Sequence, residues 1–142
     1  MRVLDDITGE IVDASVRLHM DLGPGLLESV YERLLAEILI RRGLVVERQK
    51  PVCFEYDGIR FDDGFRIDLL VENQVLVELK SVEKVAPVHS KQLLTYLRLM
   101  KLPVGLLINF GAPTLKEGLH RIVNNLDPSA SSRLRVNQKK VD

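Results

Sequence analysis

The first 42 residues place hydrophobic and polar positions at the spacing of amphipathic helices. Two helices are predicted, over roughly residues 6–21 and 26–42, and Gly23-Pro24-Gly25 separates them because a continuous helix does not tolerate that tripeptide. Hydrophobic residues recur along one side of the second helix: Leu27, Val30, Tyr31, Leu34, Leu35, Ile38 and Leu39. We expect this stripe to face the core.

From about Val45 to Val82 the hydrophobic period changes to two, which is typical of β-strands. Three turn sequences divide this stretch: Asp57-Gly58, Asp63-Gly64 and Glu72-Asn73-Gln74. The pattern therefore predicts an antiparallel meander.

The remaining third of the chain alternates between helical and strand patterns. A helix is predicted from Pro87 to about Met100, a buried strand over residues 104–108, and a last helix near residues 114–124. This order of elements predicts an α/β sandwich around a mixed sheet, in a single domain over residues 1–125. Residues 126–142 lose the periodicity and are expected to form a mobile, polar and basic tail.

Composition limits the functional classes. The 20 Lys+Arg balance the 20 Asp+Glu, so the chain lacks the basic excess of many nucleic-acid-binding proteins. The single cysteine, Cys53, excludes an internal disulfide and a Cys-rich zinc site. We see no signal peptide and no membrane span, and we expect a cytoplasmic protein.

The most informative segment is the hairpin formed by residues 66–71 and 75–80. Ile67, Leu69 and Val71 alternate with Asp68 in its first strand, and Glu78 and Lys80 alternate with apolar residues in its second. A three-residue loop would place Asp68 opposite Glu78. Two adjacent carboxylates repel each other unless a cation lies between them.

This arrangement predicts a divalent metal site. Hard oxygen ligands without a Cys/His cluster indicate Mg²⁺, or alternatively Mn²⁺, and phosphodiester hydrolysis is the matching chemistry, with Lys80 near the attacking water. The alternative interpretation is a half-exposed amphipathic strand whose Glu78 and Lys80 are simply solvated.

Further motifs favour the catalytic interpretation, because the segment Gly25-Leu26-Leu27-Glu28-Ser29-Val30-Tyr31 fits the pattern GxxExxY. Together with Asp68 and Glu78-Leu79-Lys80, it resembles the GxxExxY proteins of the PD-(D/E)XK nuclease superfamily. Residues 89–97 and 105–111 resemble later blocks of the same family, and the resemblance covers most of residues 10–124. Ile67 departs from it, because it stands where the superfamily name has proline.

The resemblance implies a restriction-endonuclease-like fold with an α-β-β-β-α-β core. It also implies that Asp68 and Glu78 bind the metal, that Lys80 assists the attacking water, and that Glu28 supports the metal, directly or through a water. From helical spacing alone, Glu28 is equally well read as a solvated helix residue. Gln92 and Tyr96, one turn apart on a later helix, are candidates for positioning substrate or water, and packing is the alternative for Tyr96.

Two functions follow from the sequence. The first is a Mg²⁺-dependent nuclease, with DNA favoured over RNA as its substrate. The second is a nuclease-fold module with little or no catalysis that binds nucleic acid or protein, which zero net charge favours. The oligomeric state stays open, with a homodimer as one candidate.

Overall fold

The computed structural model describes residues 2–125 and 134–137. Its helices and strands occur in this order: α1 (Leu4–Leu22), α2 (Glu28–Arg41), β1 (Val46–Tyr56), β2 (Ile59–Val71), β3 (Val75–Lys80), α3 (Pro87–Met100), β4 (Val104–Asn109), α4 (Leu115–Gly118), β5 (Leu119–Val123) and β6 (Leu134–Asn137).

The strands form one mixed sheet in the order β5-β4-β3-β2-β1-β6. The β1–β2 and β2–β3 pairs are antiparallel, whereas β3 and β4 are parallel and are connected through α3. This arrangement confirms the predicted α/β class, because α2-β1-β2-β3-α3-β4 forms the expected mixed sheet with flanking helices.

The sheet separates two hydrophobic clusters. The first joins it to α1 and α2 through residues such as Ile11, Leu35 and Val77. The second joins it to α3 through residues such as Leu76 and Leu93. Cover on both faces explains why β4 is buried along its whole length and is apolar up to its last residue, Asn109.

The hydrophobic stripe predicted on α2 is only partly buried. Tyr31, Leu35 and Leu39 are fully buried, and Ile38 packs against the same cluster. Leu27, Val30 and Leu34 are instead 73%, 39% and 37% exposed. The predicted buried stripe was too wide. Only one side of α2 packs on the sheet, and Leu27, Val30 and Leu34 lie outside that contact.

The predicted turn at Asp63-Gly64 is wrong, because β2 continues through both residues. The β1–β2 register shifts between Val52 and Phe54, opposite this part of β2. A Cβ atom on Gly64 would lie 2.2 Å from the Phe54 ring, so the glycine permits close approach of the ring and does not make a turn.

The predicted last helix is also wrong for most of its length. Helix α4 contains four residues, and the chain then continues as β5, which pairs antiparallel with β4. A Cβ on Gly118 would lie 2.2 Å from the carbonyl oxygen of Asn109. Tertiary pairing with β4 thus determines the conformation of a segment whose own periodicity is ambiguous.

The structure adds a strand that the sequence did not predict. Residues 134–137 form β6, which pairs antiparallel with Cys53–Tyr56 of β1. Residues 126–133 and 138–142 lie outside the described residues, so the mobility expected there stays a prediction. Within the described part of the chain, no helix combines the length and apolar character needed to cross a membrane.

Candidate active site

The candidate site lies where the sheet ladder is interrupted around Asp68. The β2–β3 pairing runs from Val71↔Val75 to Leu69↔Val77 and stops there, so the residues next in register are Asp68 and Glu78. The β1–β2 ladder omits the same position on its other side, because Arg48 pairs with Leu69 and Lys50 with Ile67. The predicted register is therefore confirmed for residues 69–71 and 75–77, and its continuation places Asp68 across from Glu78.

The interruption also changes which way the neighbouring residues point. Ile67 was expected to share one face with Leu69 and Val71, but it joins Leu70 in the cluster beside α3. This expectation is wrong because regular alternation requires a continuous ladder, and the ladder breaks at Asp68.

Carboxylate groups replace the missing ladder bonds. The backbone N–H of Leu79 donates to Oδ2 of Asp68 at 2.9 Å, and the backbone N–H of Asp68 approaches Oε1 of Glu78 at 3.3 Å. Each strand therefore contributes a carboxyl group that accepts a hydrogen bond from the other strand's backbone. These bonds hold the two acidic side chains together at one point of the sheet.

The two carboxyl groups are electrostatically frustrated. Burial, followed by the neighbouring charge of Asp68, raises the pKa of Glu78 to about 9. The positive charge of Lys80, two residues further along β3, acts in the opposite direction. At neutral pH the pair therefore favours retaining one proton, and a bound cation could take the place of that proton.

Tyr96 of α3 lies near this pair, because both carboxyl groups act on its hydroxyl. Burial, and then the charges of Glu78 and Asp68, raise the pKa of the Tyr96 hydroxyl. The Tyr96 ring stacks on Phe65 with centroids 4.2 Å apart. Gln92 is exposed, and in the described residues no hydrogen bond connects it to the site.

Glu28 lies at the start of α2, close to the end of β3. Its Oε1 is 3.4 Å from the backbone nitrogen of Ser81, and the Ser81 hydroxyl donates to the carbonyl of Leu26 at 2.6 Å. Glu28 also lines a cavity of about 150 Å³ together with Ser29, Glu32, Gln49, Asp68 and Leu79. The helix thus brings Glu28 to the same cavity as Asp68.

The other residues of the GxxExxY segment shape the loop before α2. Gly25 has φ of 112°, a conformation that other residues rarely adopt. The Tyr31 hydroxyl donates to the carbonyl of Gly23 at 2.5 Å and accepts from the backbone N–H of Leu26 at 3.2 Å. Its buried ring stacks on Phe110 at 4.4 Å. Tyr31 therefore holds in place the loop that leads to Glu28.

Two residues that the sequence analysis did not identify also reach Asp68 or its neighbours. Gln49 Nε2 is 2.5 Å from Oε1 of Glu32 and 3.3 Å from Oδ1 of Asp68. Glu32 is 5% exposed and lies one turn after Glu28 on α2. The i,i+4 spacing from Glu28 was the available signal for Glu32, whereas no local pattern indicated Gln49.

Asn109, at the end of β4, is a third residue that was not identified. Its side chain accepts from the backbone nitrogens of Val82 and Gly111 at 3.0 Å each and donates to the carbonyl of Val82 at 2.9 Å. The backbone of Phe110 also donates to the carbonyl of Lys80 at 2.8 Å. These bonds fix the chain immediately after the Glu78-Leu79-Lys80 segment.

The donor set fits a cation that needs few protein ligands. In the part of the chain that the structure describes, no three His, Cys, Asp or Glu side chains are grouped closely enough to hold a metal ion. Mg²⁺ generally retains several waters and binds through one or two carboxylates together with substrate phosphates. The pair Asp68 and Glu78 meets that requirement, and Glu28 is not part of a three-carboxylate group.

Comparison with known families agrees with this geometry. A family model of the PD-(D/E)XK nuclease superfamily matches residues 5–122, and the chain therefore belongs to that superfamily. Neither a curated protein nor a solved structure matches the chain. The mixed sheet with flanking helices is the restriction-endonuclease-like fold expected of that superfamily, and membership indicates a nuclease that acts on nucleic acid.

Proposed function

We propose that this protein is a Mg²⁺-dependent nuclease that hydrolyses phosphodiester bonds in DNA, and that it belongs to the GxxExxY group of its superfamily. The observation that carries the proposal is the contact between two carboxyl groups from adjacent strands, with burial and mutual charge raising the pKa of Glu78 to about 9. Such a pair is costly to ionise alone and is stabilised by a divalent cation.

In this proposal Asp68 and Glu78 hold the metal, with Mn²⁺ as a substitute for Mg²⁺. A bound divalent ion supplies two effects, a lower pKa for a coordinated water and stabilisation of charge on the phosphate. Glu28 lines the cavity that Asp68 also lines, which suits a hydrogen bond to a water beside the metal.

The remaining site residues act on water and substrate. Lys80 carries its ammonium on the same strand as Glu78, where it orients the attacking water and stabilises the developing anion. Tyr96 lies near both carboxyl groups, so its hydroxyl can hold a phosphate oxygen or a water. Gln92 is exposed one turn earlier on α3, and we assign it to substrate contact outside the metal pair.

The test is cleavage of linear, circular and single-stranded DNA and of RNA by the full chain, with Mg²⁺, with Mn²⁺ and with a chelator. We expect cleavage of DNA that requires the divalent ion and is lost in Glu78→Gln. Glu83→Gln changes an exposed glutamate nearby and serves as the control. Binding without cleavage under every condition would support the non-catalytic module, and equal cleavage by Glu78→Gln would rule out the proposed site.

A further inference from the structure

We infer that Gln49 is a positioning residue that orients the Asp68 carboxylate, with the buried Glu32 as its anchor. The inference rests on the proposed metal role of Asp68 and adds to it a connection from α2 through β1 to the metal pair. Both contacts of the Gln49 amide support it, because one reaches Glu32 and the other reaches Asp68.

The backbone of Gln49 is the first line of evidence. Its φ is 48°, in the left-handed region that residues other than glycine rarely adopt, although it lies inside β1. Position 49 is also the one at which the β1–β2 ladder omits its pair with Asp68. The strand thus departs from regular geometry at the residue that faces Asp68, and such departures are frequent at functional sites.

The chemistry of the side chain is the second line. A glutamine amide has two N–H donors, and here its nitrogen lies within reach of one carboxylate oxygen on each side. Neutral Gln49 can therefore join two acidic residues without adding a charge. An Asp, Glu or Lys at this position would change the charge beside the metal pair.

The combined contacts determine the direction of the Asp68 carboxylate. Its Oδ1 lies 3.3 Å from Gln49 Nε2, and its Oδ2 accepts from the backbone N–H of Leu79 at 2.9 Å. Glu32, at 5% exposure, is itself held by Gln49 and, at 3.4 Å, by Arg48. Gln49 thus connects a buried, fixed carboxylate to the one that would bind the cation.

The test is the Kd for Mn²⁺, measured by isothermal titration calorimetry on the full chain without nucleic acid. Gln49→Gly and Gln49→Ala both remove the amide, and each should raise the Kd about 10- to 100-fold, as loss of a hydrogen-bond partner of a metal ligand commonly does. Gln74→Ala removes a glutamine amide that instead donates to the carbonyl of Arg2, in the turn between β2 and β3, and should leave the Kd unchanged.

The two Gln49 variants separate positioning from simple stability. Glycine fits the left-handed backbone at residue 49 better than alanine, so the Tm of the metal-free Gly variant should exceed that of the Ala variant. We nevertheless expect equal losses of Mn²⁺ affinity. The positioning role would be overturned if the less stable variant lost more Mn²⁺ affinity than the more stable one. It would also be overturned if Gln49→Gly bound Mn²⁺ with the Kd of the wild type.

Asp68→Asn distinguishes failure of this inference from failure of the proposed function. If the wild type binds Mn²⁺ and Asp68→Asn does not, the metal site stands, and the Gln49 variants alone decide the positioning role. If the wild type does not bind Mn²⁺, or if Asp68→Asn binds it as tightly, the proposed metal site is wrong and the role of Gln49 is overturned with it.

Discussion

Two clusters in this protein each contain a pair of carboxylates, but their electrostatics are opposite. Between α1 and the end of α2, Arg42 Nη1 lies 2.9 Å from both Glu10 Oε2 and Asp13 Oδ2. Hydrogen bonding to Arg42 lowers the pKa of Asp13. Around Asp68 the second carboxyl group is Glu78, and burial and like charge raise its pKa to about 9.

The difference separates a structural contact from a candidate functional one. In the first cluster the Arg42 guanidinium neutralises the carboxylates, and the side chains are partly exposed to solvent. These carboxylates therefore need no additional cation. The second cluster lies inside the sheet, and the positive charge of Lys80 only partly offsets the rise in the pKa of Glu78. Acidic groups held together in this way are found where a cation or a shared proton is used.

The largest expected effect comes from removing the positive charge beside the frustrated pair. Lys80→Met keeps the length of the side chain but removes the ammonium, so cleavage of DNA should fall about 100- to 10,000-fold, the range typical of a group that assists proton transfer. Mn²⁺ binding to Asp68 and Glu78 should persist in calorimetry, because neither carboxylate is changed.

Lys84→Met is the matched control for Lys80→Met, since Lys84 is exposed in the loop after β3. It should cleave at the rate of the wild type. Loss of metal binding in Lys80→Met, or full activity in that variant, would contradict a role for Lys80 in the chemical step.

The second prediction concerns the stability of the metal-free protein at different pH values. Because the folded pKa of Glu78 lies near 9, above the usual 4.5, the folded chain retains a proton that the unfolded chain loses. The free energy of unfolding should therefore decline as the pH rises from about 4.5 to about 9. Glu78→Gln removes this ionisation and should be more stable than the wild type at pH 8, by on the order of a few kcal/mol.

The measurement for Glu78 is urea unfolding of the wild type and Glu78→Gln from pH 5 to pH 9 in the presence of a chelator. Glu28→Gln is the comparison, because Glu28 lies at an exposed helix start and not in the buried pair. Parallel pH profiles for the wild type and Glu78→Gln would show that the pair is not frustrated in the folded protein.

The sequence was sufficient to predict the site hairpin because its information is local. Alternation in residues 69–71 and 75–79, together with the loop Glu72-Asn73-Gln74, determines which residues lie opposite each other. It does not reveal the break at Asp68, which turns Ile67 to the other face of the sheet. The same local signals failed at Gly64 and in the segment after Gly118. There, contact with Phe54 and pairing with β4 determine the conformation, and neither is visible in a short window.

The supporting residues of the site could not be predicted for a related reason. Gln49 approaches Asp68 only because its strand breaks the regular ladder with a positive φ. Asn109 acts through three hydrogen bonds to the backbone of Val82 and Gly111. The residues next to it in the sequence are those of an ordinary buried strand and do not indicate this role. Such roles depend on tertiary geometry, whereas the acidic residues of the hairpin carry a recognisable spacing.

The smallest expected effect comes from breaking the satisfied cluster. Arg42→Met removes the guanidinium that joins Glu10 and Asp13, and it should lower the Tm slightly, because exposed ion pairs contribute little to stability. The loss should disappear in about 1 M salt, where the screening length is only about 3 Å.

The loss of Tm in Arg42→Met should also disappear in acid. A carboxyl group with a lowered pKa, such as that of Asp13, stabilises the folded protein above its ordinary pKa and loses that contribution as the pH falls. Scanning calorimetry at low and high salt and at neutral and acid pH checks all three points, with a DNA cleavage assay alongside. An activity loss in Arg42→Met comparable to that of Lys80→Met would mean that the two clusters are functionally coupled and would remove the distinction between them.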